Sequence, residues 1–356
     1  RVPGAALAGG APRGHDAARN DLPEVRRPMR PARRPLLAAP FLLAALAARA
    51  PSARAQAAWP DRPLRLIVPF PPGSTPDTTG RLLAAHFTRA FGQPCVVENR
   101  AGAGGNIGTD VVAKATDGHT IGLTINGPLA TARALFPDLP YDPRRDLAIA
   151  SLLVRAGQVL VVHPDLPVRD LAGFVAHVRA NPGKLSFGSV GSGSGGHLAM
   201  AELMARAGLD MVHVPYRGFP QATLDLVAGR IEAMVIVSAG ILPQLREGRA
   251  RALAVTAERR IPQAPEVPTL AEAGFPGAES YAWNALVAPA ATPAPRIARL
   301  AEEAAKALAE PQARAALEAG GFEVVASGPA EATRFVAAET ERWSGLIARL
   351  GIKAEA

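Results

Sequence analysis

The stretch Leu185-Ser186-Phe187-Gly188-Ser189-Val190-Gly191-Ser192-Gly193-Ser194-Gly195-Gly196-His197 decides how the chain is read. Residues 185–189 form a short β-prone run, and a helical pattern opens at His197 and continues to Ala207. Between them every residue except Val190 is Gly or Ser. A strand feeding a glycine-rich turn and then a helix is the repeating unit of an α/β layered fold. Small residues in such a turn let the backbone approach a ligand. The helix start adds unpaired N–H groups and positive dipole character, which suit an anion. Gly191, Gly193 and Gly196 also spell G-x-G-x-x-G, but a dinucleotide site needs an acid at the end of the next strand. That strand ends Val214-Pro215-Tyr216-Arg217, with Asp210 at its wrong end, so no nicotinamide or flavin cofactor is expected.

The same build recurs nearer the start. Leu64–Val68 reads as a strand, Pro71-Pro72-Gly73-Ser74-Thr75-Pro76-Asp77 as the turn, and Thr78–Phe91 as a helix with Leu82, Leu83, Phe87 and Phe91 at helical spacing. One such turn alone favours plain helix capping, for which Asp77 and Ser194 are suitable residues. Two of them, each at a strand's carboxyl end, point to facing loops around an anion. Strands are further predicted over 95–98, 120–124, 159–162, 211–214, 233–237, 253–256 and 323–325, with 283–289 a further ordered segment. Helices are predicted over 107–115, 171–180, 221–228, 295–308, 311–319 and 329–350. The economical reading is two similar α/β units with chain crossings near 157 and 281.

Enzyme signatures are missing. No serine of residues 56–356 satisfies G-x-S-x-G, there is no G-x-x-x-x-G-K-[ST], and no two histidines there show H-x-x-x-H spacing. The lone Cys95 excludes an intrachain disulfide framework and a cysteine-cluster metal site.

The formal charge of +8 hints at a nucleic-acid or membrane-surface partner until its distribution is read. Residues 1–55 hold ten arginines and three acids, a net of +7, and residues 56–356 carry the remaining +1. No nucleic-acid partner is therefore expected. Met29 is followed by Arg30, Arg33 and Arg34, an apolar run over 36–48, and Ala53-Arg54-Ala55. These are the basic, apolar and small-x-small parts of a secretory signal peptide. The run is short of the ~20 residues that span a bilayer. The expectation is an upstream extension over 1–28 and a signal peptide over 29–55. Cleavage after it would leave an exported, periplasmic protein, by ordinary secretion or a twin-arginine route.

Several ordered motifs then resemble one family. They are Leu66 to Asp77, Val97-Glu98-Asn99-Arg100-Ala101-Gly102-Ala103-Gly104-Gly105-Asn106-Ile107-Gly108, Leu139-Pro140-Tyr141-Asp142-Pro143, Gly191 to His197, His213 to Gly218, Leu253 to Thr256, and Pro268 to Gly274. Together they resemble the Bug/TctC family, the extracytoplasmic solute-binding proteins of tripartite tricarboxylate transporters, over essentially all of 59–356. The resemblance implies an α/β type II periplasmic binding fold. Its two lobes, 56–156 with 281–356 and 157–280, are joined by crossing hinge segments and close on a small organic acid. It implies contacts from Phe70, Ser74, Thr75, Asp77 and Asn126 on one lobe. On the other it implies Ser189, Ser194, Gly195, Gly196, His197, Arg217, Gly218 and Ala222. Asp77 is expected to organise its loop, since two anions would repel.

The chain departs from the family pattern in three places. Gly73-Ser74 stands where two glycines are common, which adds a side chain at the pocket. Arg217 stands where lysine is frequent, either to meet a distal carboxylate or as a solvated charge. Strand 233–237 lacks the usual terminal acid or amide, and a pocket-facing Ile236 would favour a more apolar ligand body. The expected function is a monomeric periplasmic receptor without cofactor or metal that hands its ligand to membrane permease subunits. A sensor protein as the recipient, or an enzyme on a similar scaffold, are the alternatives.

Overall fold

The computed structural model describes residues 59–354. The signal-peptide expectation over 29–55 lies outside them. In the first part of the chain β1 (Leu64–Val68) feeds α1 (Thr75–Phe91), β2 (Cys95–Asn99) feeds α2 (Asn106–Ala113), and β3 (Thr120–Ile125) runs into a π-helical turn over Gly127–Thr131. β4 (Leu147–Val162) follows. Next come α3 (Leu171–Ala180), β5 (Ser186–Ser189), α4 (Gly195–Ala207), β6 (Val212–Pro215), α5 (Phe219–Val227), β7 (Ala233–Val237) and β8 (Arg251–Val255). The chain returns through β9 (Tyr281–Pro289), α6 (Ala294–Ala309), α7 (Pro311–Ala319), β10 (Glu323–Val324) and α8 (Pro329–Leu350). Among the described residues no helix is long and apolar enough to cross a membrane.

The strand order is β2-β1-β3-β9-β4-β7-β5-β6, with β8 and β10 also paired to β4. β1, β2 and β3 are mutually parallel, as are β5, β6 and β7. β9 and β4 run antiparallel between these two sets. Each set has its own apolar core. Leu66, Leu83, Phe87 and Leu300 belong to one, and Phe174, Phe187, Leu203 and Val235 to the other. The arrangement puts the carboxyl ends of β1, β3, β5 and β6 in position to supply loops, where open α/β sheets bind ligands.

β4 extends well beyond the predicted 159–162. The added stretch, Leu147-Ala148-Ile149-Ala150-Ser151-Leu152-Leu153-Val154-Arg155-Ala156-Gly157-Gln158, has no alternation because most of it is buried on both faces. Pairing changes hands within this strand. Gly157 lies opposite Tyr281 of β9, and Gln158 lies opposite Val237 of β7. The close packing at this point requires glycine, since a methyl on Gly157 would sit 2.5 Å from Ala257 Cβ.

α1 starts earlier than predicted because Ser74, not Asp77, is its N-cap. Pro76 occupies an early position where its missing N–H costs nothing. The helix stops at Gly92, whose left-handed φ of 67° suits glycine.

Candidate ligand-binding site

The loops at the carboxyl ends of the strands enclose a narrow cavity of about 30 Å³. Phe70, Ser74 and Thr75 line it from the β1–α1 connection, and Asn126 from the end of β3. Ser194, Gly195 and Gly196 line it from the start of α4, and Gly218 from the start of α5. Three helix N-termini therefore meet at one cavity; α1 has its Asp77 N–H capped by Ser74, whereas the start of α4 carries no capping bond and offers its N–H groups. No Asp, Glu, Lys, Arg or His is among its lining residues. A more open cleft of about 550 Å³ beside the crossing strands is walled by mixed charges, including the Arg155–Glu323 ion pair, and lacks the helix starts. A second cleft of about 530 Å³ shares Ser74, Thr75 and Phe219 with the small cavity but lacks the start of α4, so the small cavity is where the helix starts of both strand sets meet.

The β1–α1 loop is organised by charge. Ser74 Oγ accepts the Asp77 N–H at 3.4 Å, and Asp77 Oδ2 accepts the Gly73 N–H at 3.0 Å. Arg81 donates to both Asp77 carboxylate oxygens at 3.0 and 2.9 Å, and Asn99 Nδ2 donates at 2.9 Å. Burial opposes the Asp77 charge, but the bonds from Arg81, Gly73 and Asn99 outweigh it and hold its pKa below the usual carboxylate value. Asp77 does not line the cavity. It fixes the loop that does.

The β5–α4 loop is organised without charge. Ser189 Oγ bonds His213 Nε2 at 2.7 Å and accepts the Gly191 N–H at 3.1 Å. His197 Nδ1 accepts the Gly193 N–H at 3.0 Å. The His197 and His213 rings stack with centroids 4.0 Å apart, and Phe187 stacks on the His213 face at 4.9 Å. Burial and then the neighbouring His213 push His197 down to about 3, and burial pushes His213 down to about 4. Both rings are accordingly neutral at ordinary pH. Ser189 and His197 sit behind the cavity wall. Ser194 occupies the N-cap position of α4 yet makes no capping bond, and its Oγ is buried without a partner.

A scan against family models matches residues 79–352 to the tripartite tricarboxylate transporter family receptor, TctC. The chain belongs to this family. It is 43% identical to the "UPF0065 protein in tcbD-tcbE intergenic region" of Pseudomonas sp. (strain P51), over 87% of this chain and 93% of that one. An R. palustris structure with adipate superposes with a TM-score of 0.79 at 34% identity, covering 83% of this chain and 99% of that one. MatC from Rhodopseudomonas palustris with bound malate superposes at 0.77 and 33% identity, covering 81% and 100%. The fold is thereby that of the periplasmic binding proteins.

Within this TctC-family chain the remaining expected contacts lie elsewhere. Arg217 is exposed and Ala222 is buried among Leu226, Ile231 and Ile236; neither lines the cavity. Ile236 does not face it either. Strand alternation turns Ile236 into that core and presents Val237 to the cavity. Sequence reading missed Gln158, Phe219, Trp283, Asn284 and Phe322, which also line it. Gln158 lies inside a strand and Phe322 just before β10, so no loop motif marks them. The β5–α4 loop also touches the first half of the chain. Thr131 Oγ1 donates to the Gly193 carbonyl at 3.0 Å, and a methyl on Gly191 would lie 2.8 Å from Gly104 Cα.

Proposed function

We propose that this chain is a periplasmic receptor that captures a small organic carboxylate between two lobes and delivers it to the membrane permease of a tripartite transporter. The lobes would be 56–156 with 281–356 and 157–280, and the protein would act as a monomer. The observation that carries the reading is the convergence of three helix N-termini on a cavity without a charged side chain. Preorganised N–H groups and hydroxyls stabilise a carboxylate in such a water-poor site. The related structures with adipate and malate support the ligand class.

The cavity volume of about 30 Å³ holds one or two waters, so a carboxylate of several carbons requires its walls to part. Hinging at the Gly157–Gln158 and Tyr281 crossings would part them, and the Thr131–Gly193 contact would re-form on closure. The contacts assigned to the ligand are Phe70, Ser74, Thr75, Asn126, Ser194, Gly195, Gly196 and Gly218. Asp77, Ser189 and His197 hold these in place, and no bond-making chemistry is assigned to any of them. A thermal-shift screen of mono-, di- and tricarboxylates against amino acids, sugars and NAD tests the reading. Stabilisation by at least one carboxylate is expected; stabilisation by a sugar or NAD alone would sink it. Export is tested separately by N-terminal sequencing of the periplasmic protein, which should lack residues 30–50.

A further inference from the structure

Gln158 lines the cavity with a carboxamide whose oxygen, like the Ser194 hydroxyl, has no hydrogen-bond partner among the described residues. Its backbone is locked on both sides, the N–H donating to Thr256 Oγ1 at 2.9 Å and the carbonyl accepting the Thr256 N–H at 2.8 Å. Its side chain is only 1% exposed and lines the cavity, and its Oε1 is buried with no hydrogen-bond partner. The carboxamide lies along the first turn of α4. A methyl on Gly195 would be 3.1 Å from Oε1, and one on Gly196 would be 3.4 Å from Nε2. The unpartnered Ser194 Oγ opens the same turn. Buried carboxamides are normally satisfied, because withholding their hydrogen bonds is costly. This one is placed where a ligand would complete it.

We infer that Gln158 is a specificity-determining residue, selecting carboxylates that carry a hydrogen-bond donor, a hydroxyl or protonated amine, on the carbon next to the carboxylate. The inference rests on the carboxylate-receptor reading above. A carboxylate at the first turn of α4 has acceptors only. It takes the helix N–H groups, the Ser194 hydroxyl and the Gln158 Nε2–H. The Gln158 Oε1 then faces the adjoining carbon, where it repels a lone pair and requires a donor. A ligand without that donor leaves the buried oxygen unsatisfied, and polar sites reject such analogues strongly.

Matched pairs test this: lactate against propionate, malate against succinate, and 2-aminobutyrate against butyrate, titrated calorimetrically into the full exported protein. The wild type is expected to favour the donor-bearing member of at least one pair by tenfold or more. Gln158→Leu should bring that ratio close to one while the ligand-free melting temperature holds. Gln158→Glu, which keeps the shape and adds charge, should weaken both members a hundredfold. Equal affinity within every pair for the wild type overturns the inference, as does a preference that survives Gln158→Leu. If Gln158→Leu does not fold, unchanged binding by Gln158→Glu overturns it. Binding of no carboxylate at all sinks the receptor reading and this inference together. Carboxylate binding with no preference sinks only the inference.

Discussion

The β1–α1 and β5–α4 loops have the same build, a strand, a small-residue turn and a helix, yet different physics holds them. The first is braced by a buried carboxylate with a bidentate arginine, and its cap serine is occupied. The second is braced by two stacked neutral imidazoles, and its cap serine is unpartnered. A charged brace beside an anion would have to sit outside the cavity, as Asp77 does. A neutral brace can sit directly behind the binding turn and leave the hydroxyl of Ser194 to the ligand. The difference separates scaffold from contact: one loop spends its polar groups on itself, and the other keeps them available.

The largest expected effect comes from crowding one loop and not the other. A methyl on Gly196 would lie against the Val235 carbonyl, while one on Gly73 meets nothing within 4 Å. Gly196→Ala should cost roughly 3 kcal/mol of stability in urea unfolding. Gly73→Ala, at φ 79°, should cost only about 1 to 2 kcal/mol from its left-handed backbone. Equal costs would show that packing does not distinguish the two loops.

The two braces should also fail at different acidities. Ordinary histidine titrates near 6.5, whereas His197 and His213 are held near 3 and 4 in the folded chain. Between those values the unfolded chain binds protons that the folded one refuses, so stability falls as pH drops from about 6.5 towards 4. His213 alone accounts for roughly 3 kcal/mol at about 1.4 kcal/mol per pKa unit. Asp77 has the same sign, because its folded pKa is also lowered, but it acts in a more acidic window. Its contribution persists above the usual carboxylate value and is lost only as pH falls through the lowered one. Denaturation midpoints from pH 7 to 4 should therefore decline in the wild type and decline less steeply in His213→Gln. Asp77→Asn should lose about 2 kcal/mol at neutral pH and keep the wild-type slope between 6.5 and 4. A steep slope that survives His213→Gln would place the acid response elsewhere.

The smallest effects separate the two cap serines. Ser74→Ala removes a capping bond and should cost about 1 kcal/mol. Ser194→Ala removes none, so stability should move by less than about 0.5 kcal/mol while carboxylate affinity drops by about tenfold. A stability loss at Ser194 matching that at Ser74 would erase the contrast.

Local information carried much of this. The strand–turn–helix units were legible because apolar period, turn glycines and helix starts are properties of neighbouring residues. Ser194, Gly195 and Gly196 lie in such a turn, and it was the family resemblance that implied them as ligand contacts. The long β4 was legible only in its last four residues, because a strand buried on both faces shows no alternation. Ile236 and Val237 could not be told apart either, since a strand's inward face depends on what covers each side.

The sequence by itself determined the α/β class, the two glycine turns and the location of the excess charge, all set by short-range chemistry. Only the tertiary structure decided that His197 and His213 stack as one brace, that Val237 and not Ile236 faces the cavity, and that Gln158 reaches the first turn of α4. Each of those joins residues far apart in the chain. The imidazoles meet because β6 pairs with β5, and Gln158 reaches α4 because β4 hands its pairing from β9 to β7 at Gly157, pairings that no local pattern records.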